Sequence, residues 1–142
     1  MGTILATQPR TVLIVDDEPE ILSLFKRILA AKDVEILPAQ SGAEALAIAR
    51  RTPLDLVILD VKLPDLSGTE VLRRLRKIDD GLPVIMVTAY GSADTVRTSM
   101  RLGAVDYLTK PFNIQEIRRA AREALRDRAS ARASSGTARG GV

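Results

Sequence analysis

The chain has 142 residues, of which 46% are hydrophobic and 27% are charged, a length and composition typical of one compact domain. It contains no cysteine and no histidine, which excludes disulfide bonds, thiol or imidazole nucleophiles and the common zinc and haem sites. The net charge of +3 comes from a C-terminal segment with Arg128, Arg132 and Arg139 and no acidic residue. The rest of the chain is electrically balanced, so we expect no direct nucleic acid binding by the folded part.

The N-terminal residues 1–10, MGTILATQPR, predict an extension without a targeting function. They lack the basic start and the apolar length of a signal peptide. No later segment has the uninterrupted apolar length of a membrane span. We therefore expect no membrane association and a location in the cytoplasm.

Five apolar runs of strand length follow in chain order, and segments with helical spacing of apolar residues separate them. The predicted strands are residues 11–16, 34–38, 55–60, 83–88 and 104–108. Runs this rich in Val, Ile and Leu are typical of strands that are buried on both faces of a parallel sheet. The sequence predicts an α/β fold, an open doubly wound five-stranded parallel sheet with five helices.

Two of the predicted helices begin with a capping sequence. Ser41 stands three residues before Glu44, and Asn113 three residues before Glu116, which is the spacing of a reciprocal cap. After the last helical pattern the chain becomes rich in Ala, Arg, Ser and Gly. This composition predicts a folded domain over residues 11–127 and a flexible tail or linker over residues 128–142.

Polar residues that carry chemistry stand where the predicted strands end. Asp16 and Asp17 end the first strand, Asp60 the third and Thr88 the fourth, and Lys110 follows the fifth. Each of these residues alone is more often a turn, cap or surface residue. Because parallel strands place their carboxyl ends at one edge of the sheet, where such folds bind ligands, we expect all five to meet.

Carboxylates that share such a cleft repel each other, by roughly 4 kcal/mol at about 4 Å and an effective dielectric constant near 20. A bound Mg²⁺ ion would offset this repulsion, since it prefers a few carboxylates, a carbonyl and water. Protonation of one carboxylate, or an ion pair with Lys110 or Lys62, would offset it as well.

The sequence resembles the receiver domain of bacterial two-component response regulators over residues 10–127. The segments that carry the resemblance are VLIVDDEPEI at the first strand, DLVILDVKLPDLSG around Asp60, VIMVTAY around Thr88 and GAVDYLTKPFN around Lys110. It implies the flavodoxin-like strand order 2-1-3-4-5. It also implies a phosphoacceptor signalling domain that catalyses only its own phosphorylation and dephosphorylation.

The resemblance assigns a role to each polar residue at the strand ends. Asp60 would be the phosphoacceptor, assisted by Lys110 and Thr88, and Thr88 and Tyr107 would be the switch residues. The Mg²⁺ ligands would be the carboxylates of Asp16, Asp17 and Asp60 and the backbone carbonyl of Lys62. The chemistry agrees with these roles, because phosphoryl transfer depends mainly on positioning and charge stabilisation and a carboxylate can act as the nucleophile.

The partners follow from the same resemblance. Since the chain has no histidine, the phosphohistidine donor must belong to another protein, a sensor histidine kinase or a histidine phosphotransfer protein. Phosphorylation would alter the surface formed by the fourth helix, fifth strand and fifth helix, which would control a downstream effector domain or protein. A homodimer through that surface is also consistent with the family.

Three other functions compete with this interpretation. A haloacid dehalogenase-like phosphatase also uses an aspartyl nucleophile, but it needs a second aspartate two residues later, where this chain has Lys62. A flavodoxin needs a phosphate-binding first loop, and the acidic sequence DDEP would repel that phosphate. A receiver-like scaffold that binds partners without being phosphorylated remains the main alternative, although the complete acidic set disfavours it.

Overall fold

A computed structural model of the chain describes residues 9–89 and 91–140, and the side chains through residue 133. It contains a five-stranded parallel sheet in the order β2-β1-β3-β4-β5. The strands are β1 Arg10–Val15, β2 Val34–Ala39, β3 Leu56–Asp60, β4 Val84–Thr88 and β5 Asp106–Thr109. The predicted fold class and strand order are confirmed.

Five helices alternate with the strands: α1 Pro19–Leu29, α2 Gly42–Arg51, α3 Gly68–Ile78, α4 Ala93–Arg101 and α5 Ile114–Gly140. The first residue of α1 is Pro19. Proline is favourable at this position, because an N–H there would have no acceptor within the helix. Ser41 caps α2 as predicted, and Ser67 and Ser92 cap α3 and α4 in the same way. The side chain of Glu44 completes the cap of α2 by accepting the N–H of Gln40.

The sheet separates two hydrophobic clusters. Alternate residues of β1 divide between them: Leu13 faces the side of α2 and α3, and Ile14 faces the side of α1 and α5. All five residues of β3 and all five of β4 are buried. This burial on both faces explains why those strands read as continuous apolar runs rather than as alternating ones. It also fixes the carboxyl ends of the central strands in a rigid frame.

The helix α5 continues past residue 128, where the tail or linker was predicted to begin, and ends at Gly140. Arg128 is buried and makes an ion pair with Asp79, while Arg132 contacts Asp55. Alanine and arginine favour helix, and these two guanidinium groups find carboxylates on the domain. The flexibility of the tail stays a prediction.

Most of the predicted N-terminal extension, residues 1–8, lies outside the described part of the chain. Among the helices of the described residues, none has the length and apolarity needed to cross a membrane.

Candidate functional site

The polar residues predicted to meet do so at the carboxyl ends of the strands. Asp60 is the last residue of β3 and Thr88 the last of β4, while Asp16 directly follows β1. These three residues are 5%, 3% and 2% exposed, respectively. Aspartates as deeply buried as Asp16 and Asp60 are rare unless they are paired or functional.

Lys110 brings a cation into this acidic cleft. Its Nζ lies 3.1 Å from Oδ2 of Asp16 and 3.3 Å from Oδ2 of Asp60. Its backbone N–H donates to the carbonyl of Thr88 at 2.8 Å, and the Lys110-Pro111 peptide bond is cis. The ammonium group therefore bridges the two buried aspartates.

The acidic residues near the start of α1 form a second part of the site. Carboxylate oxygens of Asp16, Asp17 and Glu18 lie within 4.8 Å of one another, and Asp17 and Glu18 are exposed. Glu18, rather than Asp17, occupies the capping position of α1, and its N–H donates to Asp16 Oδ1 at 2.9 Å. Sequence reasoning missed Glu18, although its position immediately before Pro19 at the helix start was the available signal.

The electrostatics of the cleft show an excess of negative charge. Burial raises the pKa of Asp60 to about 6, and the Asp16 carboxylate adds to this, although the N–H of Lys62 and the charge of Lys110 lower it. Burial opposes the charge of Lys110, but its hydrogen bond to Asp16 and the charge of Asp60 leave its pKa above the usual value. One ammonium group thus does not fully compensate the two carboxylates beside it.

The donor set fits a Mg²⁺ ion. It consists of oxygen atoms only, with several carboxylates close together and partly open to water on the side of Asp17, which is the environment that this hard cation prefers. The raised pKa of Asp60 indicates that the cleft would gain from further positive charge.

The loop after Asp60, residues 61–67, closes on itself beside the end of β3. The N–H of Lys62 donates to Asp60 Oδ1 at 3.1 Å, and Lys62 pairs with Ser67 in an isolated antiparallel bridge. Gly68 donates its N–H to the carbonyl of Val61 at 2.6 Å. A side chain at Gly68 would place its Cβ 2.4 Å from the Asp60 carbonyl oxygen, so only glycine permits this close approach.

Tyr107 lies beside Thr88 with its ring partly buried. A Cβ added to Gly91 would stand 3.1 Å from the ring carbon Cε1 of Tyr107 and 3.5 Å from the methyl group of Thr88. The tyrosine hydroxyl is shielded from solvent. Burial, followed by the charge of Asp60, raises the pKa of Tyr107. Both predicted switch residues therefore adjoin the site.

Comparison with known proteins gives a consistent result. A family model for the response regulator receiver domain matches residues 12–122. Sporulation initiation phosphotransferase F of Bacillus subtilis is 40% identical over 114 residues, which cover 80% of this chain and 92% of that protein. A CheY-like response regulator receiver domain protein from Methanospirillum hungatei superposes with a TM-score of 0.83 at 34% identity, covering 87% of this chain and 98% of the other.

A longer relative shows similar identity over part of its length. The probable transcriptional regulatory protein TcrX of Mycobacterium tuberculosis is 44% identical over 110 residues, which cover 78% of this chain and 47% of that protein. The chain thus spans about half the length of this relative and of the Bacillus subtilis protein YkoG, of which it covers 50%.

Proposed function

This chain belongs to the response regulator receiver domain family of two-component signalling systems, and from that premise we propose that Asp60 accepts a phosphoryl group from a phosphohistidine of a partner protein. One observation carries the proposal: the Asp60 carboxylate is buried at a strand end with Lys110 at 3.3 Å from its Oδ2. A merely structural aspartate would not be held beside a second buried carboxylate, because that arrangement costs stability.

The chain's own residues would orient and balance the transfer. A carboxylate oxygen of Asp60 attacks the phosphorus, the P–N bond breaks, and its electron pair leaves with the imidazole nitrogen of the donor. The N–H of Lys62 holds the carboxylate in place through Oδ1, and Lys110 neutralises charge on the phosphoryl oxygens as a compact cation. Burial of Asp60 keeps the reacting group in a low-dielectric environment where these charges act strongly.

We assign the Mg²⁺ site to the carboxylates of Asp16, Asp17 and Asp60 and the backbone carbonyl of Lys62. Glu18 lies close enough to join the set, directly or through water. When bound, the ion supplies positive charge that draws the acceptor and the phosphoryl oxygens together. The support for this assignment is the cluster of carboxylate oxygens of Asp16, Asp17 and Glu18 and the direct electrostatic interaction of Asp16 with Asp60.

We further propose that Thr88 and Tyr107 are the residues that change conformation when Asp60 is phosphorylated. A phosphoryl group on Asp60 adds close to two negative charges and new acceptor oxygens, to which the Thr88 hydroxyl can donate. Because Thr88 and Tyr107 adjoin the same space beside Gly91, movement of one side chain changes the room for the other. The consequence would be a population shift of the surface formed by α4, β5 and α5.

The proposed partners are a sensor histidine kinase or a histidine phosphotransfer protein as donor, and an effector domain or protein as target. A homodimer through α4, β5 and α5 belongs to the same proposal. We place the protein in the cytoplasm, beside such a donor.

Intact mass spectrometry after incubation with acetyl phosphate tests the assignment. We expect the wild type to gain one phosphoryl group with Mg²⁺ and none with EDTA, and Asp60→Ala to gain none. Asp80→Ala, which removes an exposed carboxylate outside the site, is the matched control and should behave as the wild type. Absence of any adduct on the wild type would favour the scaffold function, and an adduct on Asp60→Ala would place the acceptor elsewhere.

A further inference from the structure

The loop that follows Asp60 makes hydrogen bonds at two places. The bonds at its base join its own two ends, and the bonds at its tip join it to α2. At its base, Lys62 pairs with Ser67 and Gly68 donates to Val61, which closes the loop next to β3. At its tip stands Asp65, an exposed residue outside the acidic cleft.

The carboxylate of Asp65 binds the first turn of α2, which lies more than twenty residues earlier in the chain. Its Oδ1 accepts the N–H of Gly42 and its Oδ2 the N–H of Ala43, each at 2.8 Å. Oδ1 also accepts the N–H of Leu66 at 2.9 Å. These hydrogen bonds, led by the one from Ala43, lower the pKa of Asp65. The tip of the loop is thus held by a two-pronged contact to another element.

The first three N–H groups of α2 divide between two caps. Ser41 Oγ accepts the N–H of Glu44 at 3.1 Å from within the local sequence, and Asp65 accepts the two that precede it. A Cβ at Gly42 would stand 2.8 Å from Val71 Cγ2 and 3.1 Å from Leu66 Cβ. The helix start is therefore packed directly against the loop and α3, and Asp65 forms the polar part of that contact.

We propose that Asp65 is a positioning residue for phosphorylation, which ties the tip of the acceptor loop to α2 and so holds the Lys62 backbone against Asp60. This inference rests on the proposed function of Asp60. The N–H of Lys62 is hydrogen-bonded to Asp60 Oδ1, and its carbonyl is the assigned metal ligand. Without the Asp65 carboxylate, the loop keeps the contacts at its base and the packing of Leu63 and Leu66 but loses its hydrogen bonds to α2. Both backbone groups of Lys62 would then be held less firmly in their direction.

A comparison of two caps on the same helix separates positioning from helix capping. Asp65→Ala removes the tie to the loop, whereas Ser41→Ala weakens the same helix start without touching residues 61–67. Three quantities are measured for each variant: the rate of phosphorylation by acetyl phosphate as a function of Mg²⁺, Mg²⁺ binding by calorimetry without phosphodonor, and amide hydrogen exchange of residues 61–68.

For Asp65→Ala we expect the Mg²⁺ dissociation constant to rise about tenfold, and the Mg²⁺ concentration at half-maximal rate to rise by the same factor. About tenfold is the lower end of the loss in metal affinity when groups that orient a metal ligand are removed. Exchange of residues 61–68 should become faster. Ser41→Ala should match the wild type in all three measurements, and Asp65→Asn, which keeps one carbonyl acceptor, should fall between.

The inference would be overturned if Asp65→Ala gave the same three measured values as the wild type. It would also be overturned if Asp65→Ala gave the same values as Ser41→Ala. Should the wild type itself take up no phosphoryl group, the proposed function fails, and hydrogen exchange alone then decides about the tie. Faster exchange of residues 61–68 in Asp65→Ala but not in Ser41→Ala would support it, and unchanged exchange would refute it.

Discussion

Asp60, the proposed phosphoacceptor, lowers the stability of the fold when it is ionised. The carboxylate is buried beside Asp16, and its pKa of about 6 exceeds the ordinary value of 3.8. Because the folded state holds the proton more tightly than the unfolded state, ionisation weakens the fold as the pH rises from about 4 to above 6. The difference corresponds to about 3 kcal/mol when the carboxylate is fully ionised.

Asp60→Asn should therefore stabilise the metal-free protein at pH 7.5, by about 2 kcal/mol once the lost contact to Lys110 is allowed for. Lys110 keeps Asp16 as a partner at 3.1 Å. Urea unfolding in EDTA at pH 7.5 and pH 4.5 measures the effect, which should shrink at the lower pH. Asp80→Asn serves as the exposed control, and a destabilised Asp60→Asn at pH 7.5 would contradict the prediction.

At the scale of elements, Arg76 joins α3 to two loops at the amino end of the sheet. Its guanidinium group donates to the carbonyls of Leu102 at 2.8 Å, Gly103 at 3.0 Å and Leu82 at 2.6 Å. It also makes longer hydrogen bonds to the backbone carbonyls of Asp79 at 3.4 Å and Asp80 at 3.2 Å. Gly103 has φ of 88°, a conformation that glycine adopts without strain. Arg76 thereby fixes the path of the chain into β4 and into β5, which carries Tyr107.

Replacement of Arg76 by alanine leaves several partly buried carbonyls without a donor, and we expect a loss of about 2 kcal/mol in the free energy of unfolding. Arg74→Ala, on the same helix, removes only an exposed ion pair with Glu70 and should cost less than about 0.5 kcal/mol. Urea denaturation of both variants tests the difference. Similar losses for the two would show that the carbonyl contacts contribute little.

At the scale of the whole molecule, charged clusters occupy both ends of the sheet. The proposed phosphorylation site lies at the carboxyl ends of the strands, and the opposite end holds α5 through Arg128 and Arg132. Arg128 donates to Asp79 and to the Leu54 carbonyl, and Arg132 contacts Asp55. The middle of α5 is thus bound far from Asp60, at the end of the sheet where Asp55 also accepts the N–H of Thr11.

Because distant sites contribute independently, Arg128→Ala should destabilise the protein and speed amide exchange in residues 126–133 without changing the Mg²⁺ dependence of phosphorylation. The loss of a mostly buried ion pair suggests about 2 kcal/mol. Arg126→Ala removes an exposed charge and is the matched control. A changed Mg²⁺ dependence in Arg128→Ala alone would reveal coupling between the two ends of the sheet.

Local patterns in the sequence predicted the strands, the helix start at Ser41 and the convergence of Asp16, Asp60, Thr88 and Lys110. Strand burial leaves a continuous apolar run, caps act within a few residues, and the parallel sheet dictates that strand ends meet. Each of these features depends on neighbours in sequence or on topology alone.

The contacts of Asp65, Arg76 and Arg128 were decided only by the tertiary structure. Each side chain binds backbone or carboxylate groups of another element, at separations of 22 residues for Asp65 and Ala43 and 49 for Arg128 and Asp79. Such contacts depend on the paths of loops and on how far α5 continues as a helix. Apolar periodicity does not encode those paths, because a loop's direction is set by the packing of the elements that it joins.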